Sequence, residues 1–276
     1  MAPDSPSEQI QIFSELPADH ASFDISDPRV MAALSRAEEL HFWHRSRNEF
    51  IASRLRMLGI GAGQRFLDLG CGAGCVSAHL SILGLSVVGV DGHRHLLLRA
   101  AQRAPKAKFW LHDLTRGVDE LPPDRFDAVG LFDVLEHLDH PSQTLRQAAD
   151  LVRSNGFVVG TVPAMMSLWS RADEQAGHVR RYETAELHRL LRSNQDCHVV
   201  EIVPFHRVLI PLWWMRKLML ARRRDGASVS TTNLRVPPWP INEWMLRLLR
   251  VERALSRGPS AWSQHGTSLW FALRKA

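Results

Sequence analysis

The chain has 276 residues, 45% hydrophobic and 23% charged with 17 Gly and 15 Pro; this fits one large domain with an insertion and excludes disordered, collagen-like and coiled-coil classes. Three cysteines, Cys71, Cys75 and Cys197, cannot build a disulfide framework and fit a reducing compartment, and the polar, Pro-rich start shows no basic or apolar leader, so a cytoplasmic protein without a secretory signal is expected. The net charge of +5 is uneven: Glu201 to Ala276 carries 13 Lys/Arg against 4 Asp/Glu, net +9, leaving −4 on residues 1–200, so the C-terminal side suits either an anionic partner or a solvated Arg-rich face.

Residues 1–28 read as a polar lead-in broken by Pro3, Pro6, Pro17 and Pro28. From Pro28 to Met57 apolar residues recur at helical spacing, and Gly59 to Gly63 end the run. Arg65–Leu69 predicts a first strand, closed by the loop Gly70-Cys-Gly-Ala-Gly74 and followed by a helix over Val76–Leu83. Strands are then predicted at Ser86–Asp91, Lys108–Asp113, Phe126–Asp133, Gly156–Val162 and His198–Val203, alternating with helices at His95–Arg103, Ser142–Val152 and Glu183–Arg192. Short apolar runs alternating with helices mean βαβ units, so the expected class is α/β with a doubly wound, mostly parallel sheet. After Pro204 the rhythm fails. Leu209 to Leu220 is dense in aromatic and apolar residues, with Arg222-Arg-Arg closing it, and Pro211, Arg216 and Lys217 make the run unfit to span a bilayer. A Pro/Ser/Thr-rich loop, an amphipathic helix over Asn242–Arg257 and a last strand at Ser268–Lys275 complete the chain.

The glycine loop carries the chemistry. A strand ending in Asp68, then Gly70-x-Gly72-x-Gly74, then a helix, lets backbone approach a nucleotide-like ligand. A dinucleotide loop wants glycine one position later, where Cys75 stands. Asp68 would also repel a pyrophosphate and suits a ligand with positive charge. S-adenosylmethionine, with its sulfonium and ammonium and no phosphate, meets both departures. Asp91, at the end of the second strand, can accept hydrogen bonds from ribose hydroxyls, and Asp113 from the adenine amine.

Phe66-Leu-Asp-Leu-Gly-Cys-Gly-Ala-Gly74, Val88-Gly-Val-Asp91, His112-Asp-Leu114 and Phe126-Asp-Ala-Val-Gly-Leu-Phe-Asp-Val-Leu-Glu-His137 resemble the class I S-adenosylmethionine-dependent methyltransferases in order and spacing, over roughly Gln64–Val203. The resemblance implies a seven-stranded Rossmann-like sheet with an antiparallel last strand, and S-adenosyl-L-methionine as cofactor with S-adenosyl-L-homocysteine as product. It implies that Asp68, Gly70 and Gly72 hold the methionyl part, Asp91 the ribose, and Asp113 with Leu114 the adenine, while Phe132 and Asp133 line the methyl-transfer face. Cys71, Gly74, Gly92 and His112 complete these loops. The expected division is a helical cap at 1–60, a cofactor-binding core at 61–203, a basic and aromatic helical insertion at 204–265, and the last core strand at 266–276. His41–Asn48, Asp133–His137 and Leu168–Tyr182 look like a bacterial branch of the family acting on small molecules or envelope-related substrates.

Methyl transfer needs in-line geometry, a dry site and, for a hydroxyl or ammonium acceptor, a base. His137 and His178 are the candidate bases, though packing alone accounts for many histidines. Glu136-His137 offers two metal-ligand types without a third, so no metal is expected. Arg181 and Tyr182 are candidate clamps for a substrate anion, or else structural. Trp43 and Trp169 are candidate substrate contacts, or else core and cap aromatics. The expected activity is methyl transfer to a small-molecule or lipid-like acceptor such as a secondary metabolite, quinone, isoprenoid or envelope precursor, with peripheral contact to anionic membrane. RNA methylation through the basic tail is an alternative; the strand ending Phe132-Asp-Val-Leu-Glu lacks the Pro-rich elements that base methylases use, so nucleic acid is not the expected partner. A non-catalytic S-adenosylmethionine-binding protein is the other alternative.

Overall fold

The apolar runs pair into one sheet. The computed structural model describes residues 6–14, 28–122, 125–222, 235–256 and 265–276. The strands are β1 (Ile10–Ile12), β2 (Arg65–Leu69), β3 (Ser86–Asp91), β4 (Lys108–Leu111), β5 (Phe126–Phe132), β6 (Val152–Pro163), β7 (Cys197–Phe205) and β8 (Ser268–Lys275). Their order is β1-β4-β3-β2-β5-β6-β8-β7. Every pairing is parallel except those of β8, which runs antiparallel to both β6 and β7. The sheet therefore has eight strands where seven were expected. The extra one, β1, is three residues long and lies in the stretch read as a lead-in. It caps the free edge of β4, with Phe13 N–H and Ser14 N–H donating to the Leu111 carbonyl at 2.9 and 3.1 Å and the Phe13 ring edge-on to Trp110. Covering an edge in this way removes an aggregation-prone row of unpaired amides.

Helices lie on both faces. On one, α2 (Phe42–Met57), α3 (Cys75–Ile82) and α4 (Arg94–Arg103) bury Ile51, Leu55, Leu80 and Leu97 against the sheet. On the other, α5 (Pro141–Asp150) and α7 (Thr184–Arg192) bury Leu145, Leu187 and Leu191. The chain winds one way from β2 to β3 and the other way to β5, so a crevice opens beyond the carboxyl ends of these strands, where α/β sheets hold ligands.

The segment read as one helical stretch is two helices. His41 is extended between α1 (Pro28–Leu40) and α2, and its Nδ1 accepts the Trp43 N–H at 3.1 Å as the cap of α2. A short α6 (Arg171–Gln175) also forms, closed by a capping box between Ser170 and Asp173. Beyond β7 come α8 (Ile210–Arg222) and α9 (Trp239–Leu255). Phe42, Leu209, Met245, Leu246 and Leu249 pack into one small core between α2 and α9. The Asn242 side chain accepts from Phe42 N–H at 2.9 Å and donates to the Leu40 carbonyl at 2.8 Å. Helices α1 and α2 near the N-terminal side and α9 beyond β7 are thus joined in one helical layer. Part of the basic tail is spent inside it: Arg250 and Arg253 both bond Glu49 on α2. Arg223 and Arg224, the Pro/Ser/Thr-rich loop over 225–234, and Arg257 lie outside the described residues, as do 1–5 and 15–27. Among the described residues no helix is long and apolar enough to cross a membrane.

Candidate functional site

Strand β2 carries a buried carboxylate near its end and then turns sharply. Asp68 is 1% exposed, and its Oδ2 accepts the Ser77 hydroxyl of α3 at 2.6 Å. Burial lifts its pKa to about 7, against the pull of that hydroxyl and of Arg47. Gly70 N–H and Cys71 N–H both donate to the Val90 carbonyl, which folds the loop back over β3. Gly72 and Gly74 are left-handed, with φ of +55° and +75°. A Cβ on Gly74 would meet Ala100 Cβ at 2.7 Å, so this glycine lets α4 close on the loop; a Cβ on Gly72 would meet nothing within 4 Å. Gly72 therefore borders open space, as a residue against a ligand must.

Asp91 closes β3 beside the loop. Its Oδ2 accepts Gly72 N–H at 3.0 Å and its Oδ1 accepts His93 N–H at 2.9 Å. Oδ1 is also 3.1 Å from His93 Nδ1, so it is Oδ2 that keeps a second lone pair for a ribose hydroxyl. Gly92 follows it and is buried. Asp113 uses Oδ1 to cap the turn Leu114–Arg116 through Thr115. His112 departs from the expectation of a cofactor contact: it is fully buried, with Nδ1 on Ser14 Oγ at 3.0 Å and Nε2 on the Gly117 carbonyl at 2.6 Å. It ties the N-terminal strand to the loop and has no free nitrogen for a ligand. The Cys71 sulfur packs beneath Gly89, and burial pushes its thiol pKa well up.

At the end of β5, Phe132 also differs from expectation. Its ring stacks between Phe66 and Trp270 in the core, so it does not line the transfer face. Asp133 follows in a left-handed conformation with φ +57°, which for a non-glycine residue costs about 1–2 kcal/mol. Thr161 Oγ1 donates to its Oδ1 at 3.0 Å, and Arg47 pairs with its Oδ2. Arg47 is the residue that sequence reasoning missed. It comes from α2, is buried, and lies over the Trp43 ring at 5.2 Å. Burial works against its charge, and Asp133 more than restores it. The one hint in the sequence was its place in the His41–Asn48 run.

Trp43 stands in this helical layer, edge-on to His206 at 6.0 Å. Trp169 sits farther out, its Nε1–H donating to Glu174 at 3.3 Å. Arg181 and Tyr182 are braces and not clamps. Arg181 is 6% exposed, donates to Asp173 Oδ1 at 2.7 Å and the Ala164 carbonyl at 3.0 Å, and lies over Trp213. Tyr182 is buried with its hydroxyl on the Leu135 carbonyl at 3.0 Å, and burial pushes its pKa up. Together they hold the turn Leu135–His137 and the loop around His178 against each other. His137 and His178 are consequently close, with ring centroids 4.9 Å apart, and the buried Glu136 lies beside them. Glu136, His137 and His178 thus bring three possible ligand atoms within 4.8 Å of one another, where the sequence offered two. A cavity of about 140 Å³ brings Leu114, Thr115 and His137 onto one wall. A larger groove of about 740 Å³ runs between α7 and β7–β8, past Thr184, His188 and Ile202; it contains no residue of the glycine loop and is not the cofactor crevice.

Residues 42–202 match the family model described as a methyltransferase domain. The chain is 35% identical over 106 residues to the ubiquinone biosynthesis O-methyltransferase of Bradyrhizobium diazoefficiens, covering 38% of this chain and 42% of that one. It is 29% identical over 153 residues to the same-named protein of Pseudomonas putida, covering 51% and 60%. The matched region thus spans about half the length of these relatives. Among solved structures, the N-methyltransferase NodS of Bradyrhizobium japonicum superposes with a TM-score of 0.52 at 15% identity over 90% of this chain and 96% of that one. The phosphoethanolamine N-methyltransferase 2 of Haemonchus contortus does so at 0.57 and 16%, over 94% and 59%. At those identities the likeness is one of fold. With a family model covering more than half of its length, this chain belongs to the methyltransferase-domain family.

Proposed function

We propose that the protein is an S-adenosylmethionine-dependent O-methyltransferase acting on a small, lipid-like hydroxylated acceptor of the quinone-precursor type. The observation that carries this reading is the loop at Gly72: open space over a left-handed glycine, bounded by a buried carboxylate at Asp68 and a hydroxyl-accepting one at Asp91. The methionyl ammonium would pair with Asp68, the ribose with Asp91, and the adenine would lie toward Asp113 and Leu114. Asp133, fixed by Arg47 and Thr161, then faces the sulfonium end. An acceptor oxygen attacks the methyl carbon in line with the C–S bond. The bond's electron pair stays on sulfur, which becomes the neutral thioether of S-adenosylhomocysteine, and the acceptor's proton leaves toward the Glu136–His137–His178 cluster.

The named relatives support oxygen as the nucleophile and a quinone precursor as the acceptor class. The helical layer supports a lipid-like one. Along α9, Ile241, Trp244, Val251 and Leu255 form a stripe at helical spacing, 54–79% exposed, and Trp239 precedes it at 75%. Such a face suits peripheral contact with a membrane that holds the acceptor. The test is incubation of the protein with methyl-labelled S-adenosylmethionine and a panel of prenylated catechols and phenols. Label on the phenolic oxygen, absent with Asp133→Ala, is the expected result; label only on added RNA, or on nothing, contradicts the reading.

A further inference from the structure

Strand β7 carries a bulge that changes what its face offers. Val199 pairs with Leu273 and Glu201 with Ala272, so Val200 is one residue too many for the ladder. Side chains alternate along an unbroken strand, and Val199 and Ile202 would then face opposite ways. The extra residue brings both onto the α7 face beside Leu269, where they stay only partly buried. Helix α7 turns Leu187 and Leu191 into the core. Its Thr184, Ala185, His188 and Arg189, spaced as one helical face, border the space left over the strand. That groove of about 740 Å³ falls in the range of about 300–1,000 Å³ that ligand sites occupy.

Two more backbone features border the same groove. Met165 is left-handed with φ +64°, a conformation that non-glycine residues keep only where their surroundings impose it. A Cβ on Gly266 would collide with the Phe205 carbonyl oxygen, so glycine lets the chain enter β8 close against the end of β7. The floor, with Val199, Ile202 and Leu269, is apolar, and the mouth is cationic. His188, Arg189 and His265 line it and are exposed. No carboxylate reaches any of the three among the described residues. Glu183, on the same rim, already accepts the Met166 N–H at 3.0 Å.

We infer that this groove binds a small amphipathic carboxylate. Its apolar body lies over Val199, Ile202 and Leu269, and its anion pairs with Arg189, with His188 and His265 as further donors. An apolar floor under an unpaired guanidinium complements that class, and matches neither a cation nor a wholly polar metabolite. A medium-chain fatty acid and an aryl carboxylate share this chemistry. The site is separate from the cofactor crevice and does not depend on the proposed reaction. Tyr182 links the two regions: it lines the groove, and its hydroxyl donates to the Leu135 carbonyl on the turn that carries His137. An occupant therefore abuts the brace of that turn.

The site is tested by titrating the full chain, free of nucleoside, with anilinonaphthalene sulfonate, an apolar aromatic anion whose fluorescence rises as it leaves water. Decanoate, phenylpropionate and the uncharged decanol then compete with it. One equivalent should bind with a dissociation constant of about 10–100 µM. The acids should displace it, their ranking separating the two sources, and decanol should compete at least about tenfold more weakly. Arg189→Glu should weaken probe and acids at least about tenfold, and Ala185→Trp should fill the groove and abolish uptake. Both positions are exposed on α7, so circular dichroism should match the wild type. No saturable uptake, uptake unchanged in both variants, or decanol competing as well as decanoate overturns the inference. S-adenosylmethionine calorimetry reads the proposed function separately.

Discussion

Gly72 and Gly74 share a left-handed backbone but not a neighbourhood, and that difference separates stability from binding. Gly74→Ala drives a Cβ into α4 at Ala100 and should destabilise the fold by about 2–4 kcal/mol, combining overpacking with φ strain. Gly72→Ala meets no atom and should cost only about 1 kcal/mol of φ strain. Its added methyl occupies the space assigned to the nucleoside, so S-adenosylmethionine affinity should fall at least about tenfold. Thermal melts and calorimetry on the two variants check the pair; equal stability losses with unchanged affinity would remove the ligand from this loop. The carboxylates of this site were legible because strand ends are legible: Asp68 and Asp91 follow apolar runs and precede glycines. Arg47 was not, because its partner Asp133 lies on a different element and only the packing of α2 joins them. Arg181 and Tyr182 read equally as substrate clamps or as structural residues, for the opposite reason. Composition shows a guanidinium and a phenol, but not that Asp173, Ala164 and Leu135 already occupy them.

Among the elements, the long periodic ones matched their expectation and the short ones did not. The strands β2, β3 and β5 are buried on both faces and read as continuous apolar runs. Three-residue β1 and five-residue α6 carry too little pattern to stand out; one exists because β4 has an open edge, the other because Ser170 and Asp173 cap it. The helical layer was legible only in halves, since nothing local links Phe42 to Asn242 across the whole core. Helix α9 divides its two faces between these roles: Met245, Leu246 and Leu249 hold α2, while Trp244 and Leu255 are left to solvent. Flotation with vesicles containing anionic lipid should carry the wild-type protein upward, and Trp239→Ser with Trp244→Ser should leave it at the bottom. Neither change touches the buried side of α9, so a wild-type protein that fails to float contradicts membrane contact directly.

Over the whole molecule, the doubly wound sheet brings the ends of β2, β3 and β5 to one crevice and closes it with helices from both ends of the chain. The parallel sheet with helices on both faces followed from the βαβ rhythm; the strand order, with its reversal at β2, did not. The charge asymmetry was visible too, but its meaning was not, because two of the arginines that made the tail basic share Glu49 of α2 inside the helical layer. The crevice has a titration of its own. Asp68, with a pKa of about 7, is largely protonated below neutrality, and a cationic ammonium beside it favours the ionised form. S-adenosylmethionine binding therefore expels a proton, and affinity should rise by up to about tenfold per unit as pH increases toward 7, then level off. Calorimetry of S-adenosylmethionine binding at pH 6 and pH 8, in buffers of different ionisation heat, measures affinity and proton release together. The account predicts one site per chain, tighter at pH 8, with proton release at pH 6 that disappears in Asp68→Asn; no heat of binding at either pH, or preferential uptake of NAD, would contradict it.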